Sequence, residues 1–495
     1  MQRSTLMKLK KLTTALLAPM LIIPMMLSPI TAHGAGITIK LSEADSVQES
    51  SELDTLLEVL DYLEAYNIEG VDREMFLENA IRGMVYTLDD PYSDYYSAEE
   101  LEEFEGSLNQ EYVGIGVTLR FTNDQLVVTQ PLPGSPALAA GIQQGDIISK
   151  VDGVKVTSME DIYRIQGIEG TNVVLEVLRG SKPMTFTITR GHFTVPAVTG
   201  KYFPDSKVGY ISLSSFTEQS DKQFAAELGM LRKAGMESLV LDLRDNTGGY
   251  VNAAINIAKN FIKNGTVMYT SGQSGKLEPI NIVDGESLDI PVIILTNEMT
   301  ASASEILTGA LRDNNIATVV GTTTYGKARI QNLFSLSNGS SLKLTVQKYL
   351  TPSRKDFNHV GLTPDFEVKN NAVAQLILAL QLAGMQSLEV KGNSSSLTVN
   401  GVSVNGYIDV VQSGDKLYVP SRVLNALVDG EVVWSSSLQK ITITTKLGET
   451  AGFTVSSNAA KVINNETYVE IHQFQNKFPG LKWSYQQRTI TLSYK

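Results

Sequence analysis

Two residues stand where nucleophilic chemistry could be built, a serine opening a helix and a lysine after the following strand. The apolar strand Val292 to Leu295 runs into Thr296-Asn297-Glu298-Met299-Thr300-Ala301-Ser302-Ala303-Ser304-Glu305-Ile306, where helical spacing begins. A serine at such a junction has its hydroxyl exposed by the turn. The helix start adds free N–H donors and a positive dipole end, which suit a developing oxyanion. The same letters also read as a capping box, with Ser302 as N-cap and Glu305 three residues on. A nucleophilic serine needs a base. Thr324-Tyr325-Gly326-Lys327 follows the apolar strand Thr318 to Gly321. Burial disfavours an ammonium ion, so an enclosed lysine can act as a base near neutral pH. A Gly-Lys pair after a strand is also an ordinary solvated loop. His192, His359 and His472 sit in no recognisable catalytic motif.

The rest of the composition narrows the chemistry. With no cysteine, thiolate nucleophiles, disulfides and cysteine-ligated metals are excluded, and four histidines offer little for a metal centre. No metal and no cofactor is expected. Lys plus Arg total 41 against 53 Asp plus Glu, a formal charge of -12, which provides no general field for nucleic acid. Hydrophobic residues at 42% over 495 residues describe a folded chain of about three domains. Lys8, Lys10 and Lys11 precede the apolar run Ala15 to Leu27, and Ala32-His33-Gly34-Ala35 offers small residues for cleavage. Residues 1–35 therefore read as a secretory signal peptide, with an uncleaved membrane anchor as the alternative. Either places the remainder outside the cytoplasmic membrane.

The elements that must position Ser302 and Lys327 follow from periodicity. Residues 36–105 are acidic and mostly helical in pattern, with Leu53, Leu56, Leu57, Leu60 and Leu63 in one stripe that the core or a second subunit would cover. A second helix spans Asp72 to Leu88 and stops at Asp89-Asp90-Pro91-Tyr92-Ser93. Short alternating strands occupy 106–192. From 193 to 390, strands Val208 to Leu213 and Ser238 to Leu243 alternate with helices Ser220 to Ala234, Val251 to Phe261 and Ala372 to Ala383. That rhythm is α/β. Residues 391–396, Lys-Gly-Asn-Ser-Ser-Ser, read as a flexible linker. Residues 397–495 hold a repeat: Leu417-Tyr418-Val419-Pro420 precedes Trp434 and Ile441-Thr442-Ile443, as Thr467-Tyr468-Val469-Glu470 precedes Trp483 and Ile490-Thr491-Leu492. Each tryptophan is expected to anchor the core of a small α+β unit.

Two segments carry resemblances of their own. Val113-Gly114-Ile115-Gly116-Val117, Gly134-Ser135-Pro136-Ala137 and Gly141-Ile142-Gln143-Gln144-Gly145-Asp146, in that order, resemble a circularly permuted bacterial PDZ domain. The resemblance implies a carboxylate-binding loop at Tyr112, Val113, Gly114, Ile115 and Gly116, with the peptide added as a strand. The repeat resembles the stalk-like domain named after the N-terminal domain of copper amine oxidases. It has no cluster of His or Met ligands, and it could serve as a cell-wall or surface contact.

Ser302-Ala303-Ser304-Glu305, Tyr325-Gly326-Lys327 with Gln331, and Leu241-Asp242-Leu243-Arg244-Asp245-Asn246-Thr247-Gly248-Gly249 look like the C-terminal processing peptidases, also called tail-specific proteases. Gly83-Met84 with Asp89-Asp90-Pro91-Tyr92-Ser93, and Gly361-Leu362-Thr363-Pro364-Asp365, add to the likeness, which covers about residues 50 to 385. It implies a multidomain α/β and β architecture: a crotonase-like α/β core with an inserted PDZ domain, N-terminal helices and an appended two-repeat α+β module. It further implies a serine endopeptidase acting at or near protein C-termini. Carried over by position, Ser302 is the nucleophile, Lys327 the general base and Gln331 the group orienting the lysine. Ser304 is the competing nucleophile. The implied oxyanion donors are the N–H of Ala303 and one from Gly248 or Gly249. Asp245 and Thr247 replace the usual Asn and Pro, Ala328-Arg329 replaces Gly-Thr, and Gln166 stands where many members have Arg. The alternatives are an inactive peptide-binding scaffold or a cell-surface binding protein.

Overall fold

The computed structural model describes residues 46–122, 124–369 and 371–494. The expected signal segment, residues 1–35, lies outside them. Among the described residues no helix is long and apolar enough to cross a membrane.

The α/β region is built on a six-stranded sheet ordered Val198–Phe203, Val208–Leu213, Ser238–Asp242, Val292–Thr296, Ala317–Gly321 and Phe366–Glu367. The first pair is antiparallel and the others parallel. Ser238–Asp242 and Val292–Thr296 are buried at every position, as expected of parallel strands covered on both faces. Alternate residues serve opposite faces. Ile211, Leu239, Leu241 and Ile294 pack with helices Ser220–Ala234, Val251–Ala258 and Ala303–Asp313. Tyr210, Val240, Ile293 and Leu295 pack with helix Ala372–Leu382.

A second, antiparallel sheet lies beside it, ordered Asp94–Tyr96, Ser341–Leu350, Gly265–Ser271, Glu278–Ile282, with Arg329–Ser335 also paired to Ser341–Leu350. Its edge strand Asp94–Tyr96 comes from the acidic N-terminal region, which is therefore helical only in part. The first helix, Ser46–Tyr66, buries Leu60, whereas Leu53, Leu56 and Leu57 remain exposed. Among the described residues no element covers that part of the stripe.

The expected PDZ segment forms a sheet ordered Val117–Thr122, Gln125–Pro131, Ile147–Val151, Asn172–Arg179 and Lys182–Thr189. Its core includes Ile115, Val128, Ile148, Val173 and Val177. The chain enters and leaves it through a two-stranded ribbon, Glu111–Gly114 with Gly191–Thr194. Val117–Thr122 is an edge strand, next to the glycine loop.

The C-terminal region departs from expectation. Residues 391–396 are not a free linker: Lys391 and Gly392 end the strand Leu388–Gly392, which pairs with both Leu397–Val399 and Thr489–Tyr494. Polar Asn393-Ser394-Ser395-Ser396 is a tight turn, in which Asn393 Oδ1 accepts from the Ser395 and Ser396 amides at 2.8 and 3.0 Å. Turn chemistry and linker chemistry use the same residue types, so composition alone misleads here. The repeat itself is present as strand–helix–hairpin units, with Ser421–Leu427 and Ile471–Lys477 as the helices. Lys416–Pro420 and Glu466–Glu470 pair antiparallel across the two copies. Trp434 and Trp483 are only partly buried at the margin of the core, whose anchors are instead Phe453, Phe474 and Phe478.

Candidate active site

Ser302 sits between strand Val292–Thr296 and helix Ala303–Asp313, in a turn held from several sides. Thr300 Oγ1 donates to Leu243 O at 2.8 Å, and Ala301 N–H to Asn246 O at 3.0 Å. The turn forces Ser302 to φ 61° and ψ -118°, a conformation that side-chain-bearing residues rarely adopt. Such strain persists only where the surroundings over-determine it. Glu305 supplies half of the expected capping box, its Oε2 accepting from Ser302 N–H at 2.8 Å. The Glu305 N–H goes to the Ser302 carbonyl, so Ser302 Oγ is buried with no hydrogen-bond partner. A capping hydroxyl would be engaged. Ser304 Oγ is engaged, donating to Asn246 O at 2.9 Å.

Lys327 approaches the same point from strand Ala317–Gly321 and is 3% exposed. Two buried groups fasten it to Ser302. Glu305 Oε2 accepts from both the Ser302 and Lys327 amides (2.8 and 2.9 Å), while Oε1 accepts from Gly326 N–H at 2.7 Å and Thr324 Oγ1 at 2.5 Å. Tyr349 Oη lies 3.1 Å from Ser302 O and 2.6 Å from Lys327 O. Burial raises the Glu305 pKa against these four donors, which favour the carboxylate. Burial, and then the positive charge of Lys343, push the Lys327 pKa down to about 7. The Tyr92 ring faces Lys327 Nζ at 4.7 Å. Burial raises the Tyr92 hydroxyl to about 12, so it stays protonated.

Gln331 is fully buried. Its Nε2 donates to Thr345 Oγ1 at 3.0 Å, Thr345 N–H donates to Ser93 Oγ at 3.0 Å, and Ser93 Oγ donates to Asp90 Oδ2 at 2.5 Å. Gln331 Oε1 has no partner, so that oxygen is not bonded to Lys327 in this state. The chain of bonds makes Asp90-Pro91-Tyr92-Ser93 part of the site.

Gly248 packs on Ser302, where a Cβ would lie 2.7 Å from the serine Cβ. Its N–H already donates to Asn246 Oδ1 at 2.9 Å. Of the two expected glycine donors, Gly248 is thereby engaged, whereas the Gly249 N–H has no acceptor among the described residues. Gly249 has φ 134°, and a Cβ there would meet Phe216 O at 2.2 Å, so only glycine fits. Ala303, first residue of the helix, presents an N–H with no intrahelical acceptor. Arg244 secures this loop, pairing with Asp242 and donating to Ala372 O at 2.6 Å.

The structure thus gathers Ser302, Ala303, Lys327, Gln331 and the 246–249 loop. Tyr112–Gly116 belong to the separate inserted domain. There the carbonyls of Ile115 and Gly116 accept from Ala137 and Leu132 N–H at 2.8 and 3.0 Å, and neither residue's own N–H has an acceptor among the described residues. Gly116 needs its φ of 70° and lies where a Cβ would collide with Ser135. Tyr92, Glu305, Lys343 and Tyr349 are not among the site residues that the sequence points to. Glu305 and Tyr92 lay inside recognised motifs, whereas Lys343 and Tyr349 alternate within an ordinary strand and gave no signal.

A buried serine at such an elbow, framed together with a buried lysine and N–H groups at a helix start, fits a serine peptidase. Comparison agrees: residues 207–368 match peptidase family S41, 127–179 a PDZ domain, and 31–100 the activating protease CtpB N-terminal domain. The carboxyl-terminal-processing protease of Synechocystis sp. is 37% identical over 305 residues, spanning 60% of this chain and 71% of that protein. A probable CtpA-like serine protease of Staphylococcus aureus is 35% identical over 338 residues, 67% of this chain and 68% of its own length. Among solved structures, the photosystem II D1 C-terminal processing protease aligns at 30% identity and TM-score 0.42, covering 66% of this chain and 87% of that one. The chain belongs to peptidase family S41, the carboxyl-terminal-processing serine proteases, and carries a PDZ domain.

Proposed function

We propose that this serine peptidase works through a Ser302–Lys327 dyad. What carries the reading is the shared frame of Glu305 and Tyr349, which holds one unengaged hydroxyl and one neutralisable lysine together. Neutral Lys327 takes the Ser302 proton as Oγ attacks the scissile carbonyl. The tetrahedral oxyanion is met by the N–H groups of Ala303 and Gly249. Lys327 then protonates the departing amine, and the same lysine activates water for deacylation. Gln331 positions Lys327, its free Oε1 accepting from the ammonium form once the site rearranges for substrate.

The substrate class is protein C-termini in an extracytoplasmic compartment, after export by the leader. The PDZ domain, residues 106–192, receives the terminal carboxylate on the N–H groups of Ile115 and Gly116, because Tyr112, Val113 and Gly114 of the expected loop lie in the paired ribbon with Gly191–Phe193. The core, residues 193–390, adopts the crotonase-like arrangement, and residues 397–495 form the stalk-like module. The exposed Leu53, Leu56 and Leu57 suit a homodimer through the N-terminal helices. Ser302 and Lys327 are 0% and 3% exposed, so substrate must open a path to them. Gln166 is solvent-exposed and cannot supply the charge of the usual Arg, so peptide activation should be modest and stronger in Gln166→Arg.

A fluorophosphonate label with Ser302→Ala, Ser304→Ala and Lys327→Ala tests the assignment. Labelling and cleavage should vanish in Ser302→Ala and Lys327→Ala and persist in Ser304→Ala. The reverse pattern for the serines would overturn it, and no labelling in any form would favour a peptide-binding scaffold.

A further inference from the structure

Two lysines, not one, are enclosed behind strand Asp94–Tyr96 and the loop before it. Tyr92 faces Lys327 Nζ, and four residues on, Tyr96 faces Lys343 Nζ at 4.9 Å. Lys343 is 2% exposed. Its ammonium donates to Tyr96 Oη at 2.6 Å and lies 5.4 Å from the Phe104 ring centre. Tyr96 and Phe104 stack at 4.8 Å, which fixes this aromatic cover. Lys343 lies two residues from Thr345, the partner of Gln331, so both point to the same face of strand Ser341–Leu350. Gln331, the residue proposed to position Lys327, is reached from that face. A buried cation held by a hydroxyl and two rings is costly to keep, and no step of the reaction consumes it.

We propose that Lys343 is a positioning residue that acts through charge: held by Tyr96 and Phe104, its ammonium opposes a second positive charge on Lys327 and so keeps Lys327 in the neutral form that accepts the Ser302 proton. This rests on Lys327 being the base. After burial, Lys343 is the largest influence lowering Lys327, whereas Asp90 and Glu305 favour its charged form. Lys343 itself is pushed to about 8 by burial, with Asp94 and Asp90 supporting its charge. The hydroxyls of Tyr92 and Tyr96 stay protonated in this range, both raised by burial. The carboxylates of Asp94 and Asp90 favour the charge on Lys343, which is the ground for taking it as the lysine that stays charged while Lys327 gives its proton up. The repulsion acts where it is useful.

The test is the pH dependence of kcat/KM on a disordered reporter for the unmodified protein, Lys343→Met, Lys343→Gln and Lys343→Arg. Removing the charge should move the acid limb upward by about half a unit or more, a loss of roughly threefold or more below the limb, with full rates recovered at alkaline pH. Arg, which keeps the charge, should leave the limb in place. An unmoved limb in folded Met and Gln variants, or an equal loss at every pH, would overturn the proposal. If these variants fail to fold, the unmodified protein decides by the 13Cε signals of its lysines. A Lys343 signal titrating well below the exposed lysines, and responding as Lys327 titrates, supports it; an ordinary titration overturns it. Lys327→Ala is assayed alongside, and activity there would instead sink the dyad reading.

Discussion

Glu305 answers two readings of the same four letters. Ser302-Ala303-Ser304-Glu305 was legible as a capping box and as a nucleophile turn, and the carboxylate serves both. It caps the Ser302 amide and, through the same oxygen, holds Lys327. Glu305→Gln would set an amide NH2 against at least one pair of donors. We expect activity to fall at least a hundredfold and stability by about 2–4 kcal/mol, since one buried acceptor pair becomes a clash of donors. Assaying cleavage and urea unfolding together checks this, and a fully active, fully stable variant would refute it. Lys327 should show the opposite balance. Its folded pKa of about 7 lies below that of an unfolded lysine, so between those values only the unfolded chain takes up the proton. Stability contributed by the neutral form is therefore lost as pH falls from the ordinary lysine range toward 7. Lys327→Met should abolish cleavage and yet raise unfolding free energy at pH 7 by about 1–3 kcal/mol. Equal or lower stability would show that the buried amine is better solvated than its surroundings imply. Activity of the unmodified protein should rise with pH through about 7.

At the scale of elements, the parallel strands and helices of the core were readable because each is long and strongly patterned. Strand Val208–Leu213 and helix Ser220–Ala234 fall where periodicity put them. The second sheet was not readable. Asp94–Tyr96 is three residues long and follows a turn cluster, and its strand character comes only from pairing with Ser341–Lys343. Yet the segment leading into that strand brings the N-terminal region into the candidate site, since Tyr92 covers Lys327 and Ser93 completes the chain to Gln331. Tyr92→Ala should admit water to Lys327, and hydration should outweigh the lost ring contact because burial is the largest effect on that lysine. We expect the acid limb of the pH–rate profile to move upward, with Tyr92→Phe close to the unmodified protein. A limb that moves down in Tyr92→Ala would mean that the ring's attraction for the ammonium dominates.

At the scale of the whole molecule, the appended module is continuous with the peptidase. Helix Ala372–Leu382 buries Leu376, Ile377 and Leu380 in one core with Phe203, Leu295, Val423 and Phe474, so both regions share it. The same helix accepts the Arg244 guanidinium at Ala372 O, the bond that steadies the loop beside Ser302. A chain ending near Glu389 would lose both neighbours of strand Leu388–Gly392 and leave that helix face in water. It should therefore be insoluble or molten, and inactive, rather than an independent peptidase. Soluble, active protein from that truncation would show that the shared core is dispensable. The module also reaches the PDZ domain. Arg120, on the edge strand Val117–Thr122, lies 3.6 Å over the Tyr407 ring centre and 3.1 Å from Asp409, and Gln144 Nε2 donates to Ser395 O at 3.1 Å. Close by, Asn405 Nδ2 contacts Ser212 Oγ of the peptidase sheet at 3.4 Å. One segment of the tail thus touches both domains, whose covalent connection includes the ribbon Glu111–Gly114 with Gly191–Thr194. A stacked guanidinium contributes about 0.5–2 kcal/mol and a partly exposed ion pair up to about 1, enough to bias the domain's position without locking it. Arg120→Ala with Tyr407→Ala should leave the active site intact while broadening the distance distribution between spin labels on the PDZ domain and the core. An unchanged distribution would assign the domain's orientation to the ribbon alone.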